Sequence, residues 1–382
     1  MTEPTTIVAC LTPAGAGAIA TLAIRGPRAW PVACQLFRSA TNKALPAEVP
    51  ESGSMWFGHF GEHRRADQVI LSIKEVSPVP WVEVHCHGGR QLVGLLLETL
   101  DRRGIERRTW QEFLRAVQSP LCAAALEMLA QATTTRAASI LLDQYHGALE
   151  QRLDELRLSL LQRDIEAARR TLDEFQKNSL LGRHLVEPWR VVVAGAPNVG
   201  KSTLVNALAG YRRSIVAPSP GTTRDVLTTS LAIDGWPIEL MDTAGLRDAT
   251  ASLESAGIAL ARQSLVDADL CLWIVDTTTS PVWPDPSLTS PKTSMILVVN
   301  KIDQPPAWNR TLAAEALFIS ATTGAGLPEL CSAISQRLVP SPPSPGCAVP
   351  FLNSQFEALA AIRERIDVND YAGALQLLQS FS

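Results

Sequence analysis

The chain has 382 residues, a length that favours two or three domains over one. Hydrophobic residues make up 46% and charged residues 19% of the sequence, which is typical of a globular protein with sizeable cores. The formal net charge of -4 excludes an overall basic, nucleic-acid-binding character, and no apolar run approaches the roughly 18 residues that a membrane helix needs.

The first 112 residues are predicted to form an α/β domain. Runs of β-compatible residues separated by Gly and Pro predict strands, and apolar residues at helical spacing predict a helix after them. The predicted strands are Thr6–Leu11, Ile19–Arg25, Gln68–Ile73 and Trp81–His87, and the predicted helix is Leu92–Arg103.

A helical region is predicted at residues 113–186. Gly and Pro become rare there up to residue 176, and Ala, Leu, Glu, Arg and Gln dominate. Leucines recur at the spacing of an amphipathic helix. These leucines are Leu149, Leu153, Leu156 and Leu160. We expect about three helices in this region, which form the first part of a helical domain.

Residues 187–340 alternate between strands and helices, which predicts a mostly parallel sheet covered by helices on both faces. Continuous apolar runs at Leu270–Val275 and Met295–Val299 are typical of central parallel strands. The other predicted elements are the strand Arg190–Ala194, the hairpin strands Val226–Asp234 and Pro237–Met241, the helices Lys201–Ala209 and Leu253–Val266, and a surface loop at Thr277–Thr293.

A proline-rich linker separates this region from the end of the sequence. Val339–Pro350 contains five prolines in twelve residues, and the residues after it are predicted to be helical. Because so short a segment cannot bury a core alone, we expect residues 341–382 to pack on the helices of residues 113–186. The α/β region would then be inserted in a helical domain.

A phosphate-binding motif follows the first strand of the α/β region. Gly195–Ser202 fits the pattern G-x-x-x-x-G-K-[ST] and lies between an apolar strand and a helix, as this motif requires. Backbone N–H groups at a helix N-terminus surround a dense negative charge, the lysine places a cation near the β- and γ-phosphates, and the serine hydroxyl binds Mg²⁺. The nucleotide-binding residues predicted here are Asn198, Val199, Gly200, Lys201, Ser202 and Thr203.

Two later segments complete the predicted Mg²⁺ and γ-phosphate site. Thr222 and Thr223 lie in a loop after the helix, where the Thr223 hydroxyl is predicted to bind Mg²⁺. Asp242 follows an apolar strand and is predicted to hold Mg²⁺ through water, while the N–H of Gly245 contacts the γ-phosphate. A contact made only to the γ-phosphate allows hydrolysis to release a switch segment.

Recognition of the base is predicted at Asn300-Lys301-Ile302-Asp303, which follows a buried strand. The Asp303 carboxylate can accept hydrogen bonds from the N1–H and N2–H₂ groups of guanine, a donor pair that adenine lacks. Ser320 and Ala321 follow the next strand and are predicted to support the base through backbone groups. Motifs in this order predict a P-loop GTPase domain that binds GTP and Mg²⁺.

The sequence resembles the tRNA modification GTPase family MnmE (also called TrmE) of bacteria. The resemblance covers most of the chain, and the order of an α/β domain, helices, a G domain and further helices also matches. Its specific motifs are Gly195–Ser202, Gly221–Asp225 and Asp242–Arg247 in the G domain, with Thr6–Ile19 and Glu83–Gly89 in the N-terminal domain.

The resemblance implies a reaction and partners. Family members modify C5 of the wobble uridine in certain tRNAs, together with a flavin-dependent partner, MnmG. Their N-terminal domain binds a folate of the formyl-tetrahydrofolate type and mediates homodimerisation. Their G domains hydrolyse GTP when they pair across the dimer, and K⁺ promotes that pairing. These properties are expectations for the present chain.

Hydrolysis requires a residue that positions water. Leu246 stands where Ras-like enzymes have a glutamine, and leucine cannot hydrogen-bond water. The resemblance implies that Glu254 is the catalytic residue and that Asn198 is a K⁺ ligand. A cation there would supply the charge that an arginine finger otherwise gives, an effect of about 10³–10⁵ in rate. The alternative for Glu254 is an ordinary acidic residue in the first turn of a helix. The alternative for Asn198 is an amide that caps the loop.

The chain departs from the family pattern at two places. The family ends in C-x-G-K, whereas this sequence ends in Gln379–Ser382, and Cys347 lies in the linker. The family's G-E-F-T-x-R-A-F-x-N-G-K segment reads Gln111–Leu121, which keeps its glutamate and arginine and lacks N-G-K. The alternative hypothesis is therefore a GTP-regulated interaction protein, for example in ribosome assembly, that has lost the modification chemistry.

Other features give weaker signals. Gly15–Ala20 mimics a dinucleotide-binding fingerprint, but a strand-like run follows and no acidic residue lies about 20 positions later. His85 and His87 share one face of a strand at a spacing that does not distinguish a metal site from packing. Solvated surface charge is the simpler interpretation of two arginine clusters. These clusters are Arg102, Arg103, Arg107 and Arg108, and Arg163, Arg169 and Arg170.

The cysteines indicate a reducing compartment. The seven cysteines are scattered, with no C-x-x-C pair and no dense framework, so reduced thiols are the simplest interpretation. The N-terminus has no basic segment followed by an apolar core of a signal peptide. A cytoplasmic location without a membrane span is therefore expected.

Overall fold

The computed structural model describes residues 5–13, 17–41, 43–62, 65–211, 228–242, 267–284 and 294–381. The predicted site residues Thr222, Thr223, Gly245 and Glu254, and the predicted helix Leu253–Val266, lie outside these ranges. The chain divides into two compact units, Met1–Ser119 and Pro120–Ser382. In the described ranges, no disulfide joins the cysteines and no helix combines the length and hydropathy needed to span a bilayer.

The first unit is an α/β domain. Its strands are β1 (Ile7–Cys10), β2 (Ile19–Arg25), β3 (Phe37–Ser39), β4 (Met55–Glu62), β5 (Arg65–Glu75), β6 (Trp81–His87) and β7 (Glu106–Arg107), and its helices are α1 (Ala29–Leu36), α2 (Arg90–Arg102) and α3 (Trp110–Val117). The described strands form one sheet in the order β3-β4-β5-β6-β2-β1-β7, in which β1 and β7 run parallel and the other neighbours run antiparallel.

Helices cover both faces of this sheet. On one face, Leu22 of β2 packs in a cluster with Leu36 of α1 and Leu96 of α2, all of them buried. On the other face, Phe113 of α3 meets the ring of Trp81 edge-on, with 5.2 Å between ring centroids. Burial of such apolar side chains is the main force that holds the sheet and helices together.

The second unit contains a helical part and an α/β part. Its helices are α4 (Pro120–Leu129), α5 (Thr135–Tyr145), α6 (Ala148–Leu161), α7 (Ile165–Arg183), α8 (Lys201–Tyr211), α9 (Leu327–Leu338), α10 (Asn353–Asp367) and α11 (Tyr371–Leu378). Its strands are β8 (Trp189–Gly195), β9 (Thr228–Ile233), β10 (Trp236–Asp242), β11 (Leu270–Asp276), β12 (Ser294–Asn300) and β13 (Leu317–Phe318).

The expectation of about three helices between residues 113 and 176 is wrong, because short breaks divide the region into α3, α4, α5, α6 and α7. Thr134 and Asp164 cap α5 and α7 by accepting hydrogen bonds from backbone N–H groups. Gly147, with φ of 95°, precedes α6. Such breaks leave the apolar spacing almost undisturbed, so periodicity alone does not reveal them.

The helices after the linker pack against those before the α/β part. α10 contacts α7, and α11 contacts α6. Arg169 of α7 forms an ion pair of 2.9 Å with Asp367 of α10. The Asn178 amide donates to the Ala348 carbonyl at 3.0 Å, which fixes the linker on α7. The fold is therefore a P-loop-type α/β domain inserted in a helical domain, as predicted, while the boundaries after residues 112, 186 and 340 stay predictions.

The inserted domain has a mostly parallel sheet. The described strands follow the order β13-β12-β11-β8-β10-β9, and all neighbours are parallel except the hairpin pair β9 and β10. α8 and α9 contribute to the core on one face, and a short 3-10 helix at Arg310–Ala313 contributes to the core on the other. Because its neighbouring strands run parallel, the carboxyl ends of β8, β10, β11 and β12 lie along one edge of the sheet.

Candidate functional site

The predicted motifs meet at this carboxyl edge. β8 ends at Gly195, β10 at Asp242, β11 at Asp276 and β12 at Asn300. In open α/β sheets, ligands bind in the crevice outside the carboxyl ends of the strands. Residues that are 101 and 103 positions apart in the sequence are thereby brought into contact, and they belong to the motifs Gly195–Ser202 and Asn300–Asp303.

The phosphate loop between β8 and α8 has a conformation that only certain residues tolerate. Gly195 and Gly200 have φ values of 144° and 95°, and Asn198 has φ of 63°. A Cβ atom at Gly195 would lie 2.3 Å from the Ile274 carbonyl, and one at Gly200 would lie 2.4 Å from the Asn300 amide nitrogen. Both glycines therefore allow the backbone turn, while Gly195 also allows the close approach of β11 and Gly200 that of the Asn300 side chain.

Lys201 folds back over this loop from the first turn of α8. Its side chain is largely buried, and its Nζ donates to the carbonyls of Gly195 at 3.1 Å and Ala196 at 2.9 Å. The ammonium thus lies above the loop, at the positive end of the α8 dipole. Both features attract a multiply charged anion such as a triphosphate.

Ser202 and Asp242 form a hydrogen-bonded pair beside the phosphate loop. The Ser202 hydroxyl donates to the Asp242 carboxylate at 2.5 Å, and Asp242 is 5% exposed. A hydroxyl and a carboxylate are hard oxygen donors of the kind that Mg²⁺ prefers, so their chemistry fits this ion. The neighbouring Thr203 is exposed on the first turn of α8.

Asn300 joins the base-recognition segment to the phosphate loop. Its buried amide donates to the Val199 carbonyl at 2.9 Å and accepts from the Ala321 N–H at 3.0 Å. The Lys301 ammonium donates to the Asn198 carbonyl at 2.8 Å. The carbonyls of Asn198 and Val199 are therefore held by Lys301 and Asn300, at the carboxyl end of β12.

The remaining predicted base-site residues lie beside this connection. Asp303 is exposed, two positions beyond Lys301. Ser320 is almost fully buried, and its hydroxyl accepts from the Thr323 N–H at 3.1 Å. The turn after β13 thus brings Ser320 and Ala321 next to Asn300.

Asp276 is a part of this site that the sequence reasoning missed. Its carboxylate lies 2.6 Å from the Lys301 ammonium and also accepts from the N–H of Thr278 at 2.8 Å. Burial by itself would raise the pKa of Asp276, but the hydrogen bonds from Lys301 and Thr278 outweigh it and hold that pKa below its ordinary value. The only sequence signal was a single aspartate at the end of an apolar strand.

Comparison with known proteins places the chain in a family. Residues 6–116 match the family model described as GTP-binding protein TrmE N-terminus, and residues 190–301 match that of 50S ribosome-binding GTPase. The tRNA modification GTPase MnmE of Synechococcus sp. is 33% identical over 373 residues, which cover 86% of this chain and 79% of that protein. The chain belongs to the MnmE family.

Other MnmE proteins extend the similarity over nearly the whole chain. The tRNA modification GTPase MnmE of Thermus thermophilus is 31% identical over 392 residues, covering 94% of this chain and 88% of that protein.

Among solved structures, the G domain of the FeoB iron transporter of T. maritima has a TM-score of 0.29 at 28% identity, over 40% of this chain and 99% of that chain. As a member of the MnmE family with a matched GTPase domain, the chain is a GTP-hydrolysing enzyme.

The N-terminal unit of this MnmE-family chain contains a separate cavity of about 770 Å³. Val93, Leu97 and Trp110 contribute apolar walls, and Arg107 and Arg108 line it as well. Thr12, Gly17 and Gly88, which lie in the two N-terminal segments that resemble the family, also border it. The sequence reasoning linked these segments to the family without predicting a cavity between them.

Two histidines of the same unit, His85 and His87, have polar partners within its sheet. The ring nitrogens of His85 lie 3.0 Å from the Thr21 hydroxyl and 3.2 Å from the Ser72 hydroxyl. His87 Nδ1 lies 2.8 Å from an oxygen of Asp67. Among the described residues, no group of three or more His, Cys, Asp or Glu side chains is arranged to hold a metal ion.

Proposed function

We propose that this chain is a tRNA modification GTPase that acts, in the cytoplasm, on C5 of the wobble uridine of certain tRNAs. The observation that carries the proposal is the meeting of the Lys201 loop, the Ser202–Asp242 pair and Asn300 at one edge of the sheet in a chain of the MnmE family. This edge provides a phosphate cradle, hard oxygen donors and a base-recognition segment together.

The phosphate loop would hold the triphosphate of GTP. The backbone N–H groups of the loop and of the first turn of α8 would donate to phosphate oxygens, and the Lys201 ammonium would lie beside the β- and γ-phosphates. Ser202, Thr223 and Asp242 would hold Mg²⁺, which when bound neutralises charge on the phosphates. Thr222 and the Gly245 N–H are assigned to the nucleotide from the sequence motifs alone.

The guanine base would be read by the segment after β12. Asp303 would accept from the N1–H and N2–H₂ groups of guanine, and its exposure leaves the carboxylate accessible to a ligand. Lys301 and Asn300 keep this segment against the phosphate loop. Ser320 and Ala321 would support the base from the turn after β13.

Hydrolysis would depend on Glu254 and on a monovalent cation. Glu254 would orient the attacking water, because Leu246 cannot do so. The Asn198 side chain would bind K⁺ from the phosphate loop, where its carbonyl is already fixed by Lys301. Pairing of two G domains across a homodimer would bring these groups to the γ-phosphate.

The cavity of the N-terminal unit fits a folate of the formyl-tetrahydrofolate type. The guanidinium groups of Arg107 and Arg108 would pair with the carboxylates of the folate glutamate, and Leu97 and Trp110 would pack against its rings. Isothermal titration with 5-formyl-tetrahydrofolate tests this assignment. Absence of binding heat would remove folate from the proposed function.

The proposed partners are a second copy of the chain, tRNA and a flavin-dependent protein of the MnmG type. Homodimerisation would occur through the N-terminal unit, as the family resemblance implies. Light scattering on the purified protein tests the dimer, and a monomeric mass at micromolar concentration would contradict it.

Deletion of the gene is expected to remove the C5 modification from wobble uridines, because the chain is proposed to supply the GTP hydrolysis on which that modification depends. Mass spectrometry of tRNA nucleosides measures the change, and complementation with the wild-type gene is expected to restore the modified uridine. Unchanged wobble uridines in the deletion strain would contradict the modification reaction and favour the alternative of a GTP-regulated interaction protein.

A further inference from the structure

Asp276 ends β11 directly beside Asn300, its partner in the register of β11 and β12. The residue is 4% exposed. One carboxylate oxygen lies 2.6 Å from the Lys301 ammonium, and the other accepts from the N–H and the hydroxyl of Thr278 at 2.8 and 2.7 Å. Both oxygens of a buried anion are therefore paired, which fixes the carboxylate and with it the Lys301 ammonium.

Lys301 carries this constraint to the phosphate loop. Its Nζ lies 2.8 Å from the Asn198 carbonyl while it contacts Asp276. Lys301 and Asn198 have φ values of 65° and 63°, a region that residues other than glycine rarely adopt. Such conformations persist where surrounding contacts support them, and the hydrogen bond from the Lys301 ammonium to the Asn198 carbonyl is one such contact.

We propose that Asp276 is a positioning residue that holds the Lys301 ammonium on the Asn198 carbonyl and thereby keeps the phosphate loop in the conformation that binds K⁺. Recognition of the base and activation by the cation are coupled through this contact. The inference rests on the proposed function, in which the Asn198 side chain is a K⁺ ligand.

Asp276→Asn tests this role with a small change in shape. The new side chain keeps an oxygen for Thr278, but its NH₂ group would face the Lys301 ammonium, and two donors cannot bond each other. The phosphate loop would then populate other conformations. The apparent affinity for K⁺ would equal the intrinsic affinity multiplied by the fraction of molecules whose loop keeps the K⁺-binding conformation. We expect the KCl concentration for half-maximal GTPase activity to rise about tenfold, with kcat at saturating KCl and GTP little changed.

The experiment measures GTPase rates of the full-length wild type, Asp276→Asn and the control Asp269→Asn across KCl concentrations, at constant ionic strength with choline chloride. Asp269 lies just before the opposite end of β11, where its carboxylate accepts from the Arg190 N–H at 2.8 Å. The control removes a charge near the same strand and is expected to keep the wild-type K⁺ response. An unchanged K⁺ response in Asp276→Asn overturns the inference, whatever happens to the KM for GTP.

Two further measurements separate positioning from general stability. If Asp276 acts through Lys301, then Lys301→Met combined with Asp276→Asn shifts the K⁺ response no more than Lys301→Met alone. Additive shifts would contradict that route. A lower Tm of Asp276→Asn without a shifted K⁺ response would indicate a purely structural residue and overturn the inference. If the wild type itself is not activated by K⁺, then K⁺ is removed from the proposed function. The wild-type titration alone shows this outcome, so it is distinguishable from a failure of the Asp276 inference.

Discussion

Gly200→Ala is expected to weaken GTP binding by about 100-fold or more, equivalent to about 2.8 kcal/mol. The added Cβ would lie 2.4 Å from the Asn300 amide nitrogen, and φ at this position is 95°. Either the loop must change its backbone conformation or Asn300 must move and lose its hydrogen bonds to Val199 and Ala321. Both changes displace the backbone N–H groups that are proposed to bind phosphate.

Gly210→Ala provides the matched control for this prediction. Gly210 lies near the other end of α8, the helix that follows the phosphate loop, and a Cβ there would meet no atom within 4 Å. Alanine in an exposed helix position is expected to stabilise the fold by up to about 1 kcal/mol and to leave GTP affinity unchanged. Titration with a fluorescent GTP analogue measures both variants, and wild-type affinity in Gly200→Ala would contradict the assigned phosphate loop.

Glu254→Ala is expected to lower kcat for GTP hydrolysis by about 10²–10⁴-fold, the usual contribution of a residue that assists proton transfer or orients water. The Kd for GTP should stay within about twofold of the wild-type value, since the proposed interaction of Glu254 is made only in the transition state. Single-turnover hydrolysis measures the rate, and equilibrium titration measures the affinity.

An exposed acid of the same domain controls for the loss of charge. Glu315 is exposed in the segment between β12 and β13, so Glu315→Ala should hydrolyse GTP at the wild-type rate. If Glu254→Ala also keeps the wild-type kcat, water is positioned by another group, and Glu254 loses its assignment.

Local motifs allowed much of the site to be predicted from the sequence. The spacing from Gly195 to Ser202, between an apolar strand and a helix, defines a phosphate-binding loop, so its residues are recognisable from the sequence. Alternation of strands and helices predicted a parallel sheet, and a parallel sheet places Asp242 and Asn300 at the same edge as the loop. The family and the P-loop GTPase fold predicted in this way are confirmed.

Features that depend on contacts between distant segments were not predicted. Asp276 becomes significant only because β11 and β12 pair in a register that sets it beside Asn300. β4 was missed because Gly58, Gly61 and Glu62 weaken its β signal, yet Gly58 is needed where a Cβ would lie 2.2 Å from the Arg38 carbonyl. Close approach of this kind is a property of the assembled sheet, which composition does not encode.

Equilibrium titration of the purified wild-type protein with GTP and with ATP, in the presence of Mg²⁺, tests the central claim most directly. We predict saturable binding of GTP and at least about 100-fold weaker binding of ATP, because the segment from Asn300 to Asp303 is proposed to recognise the hydrogen-bond donors of guanine. No measurable affinity for GTP, or equal affinity for the two nucleotides, would contradict the account.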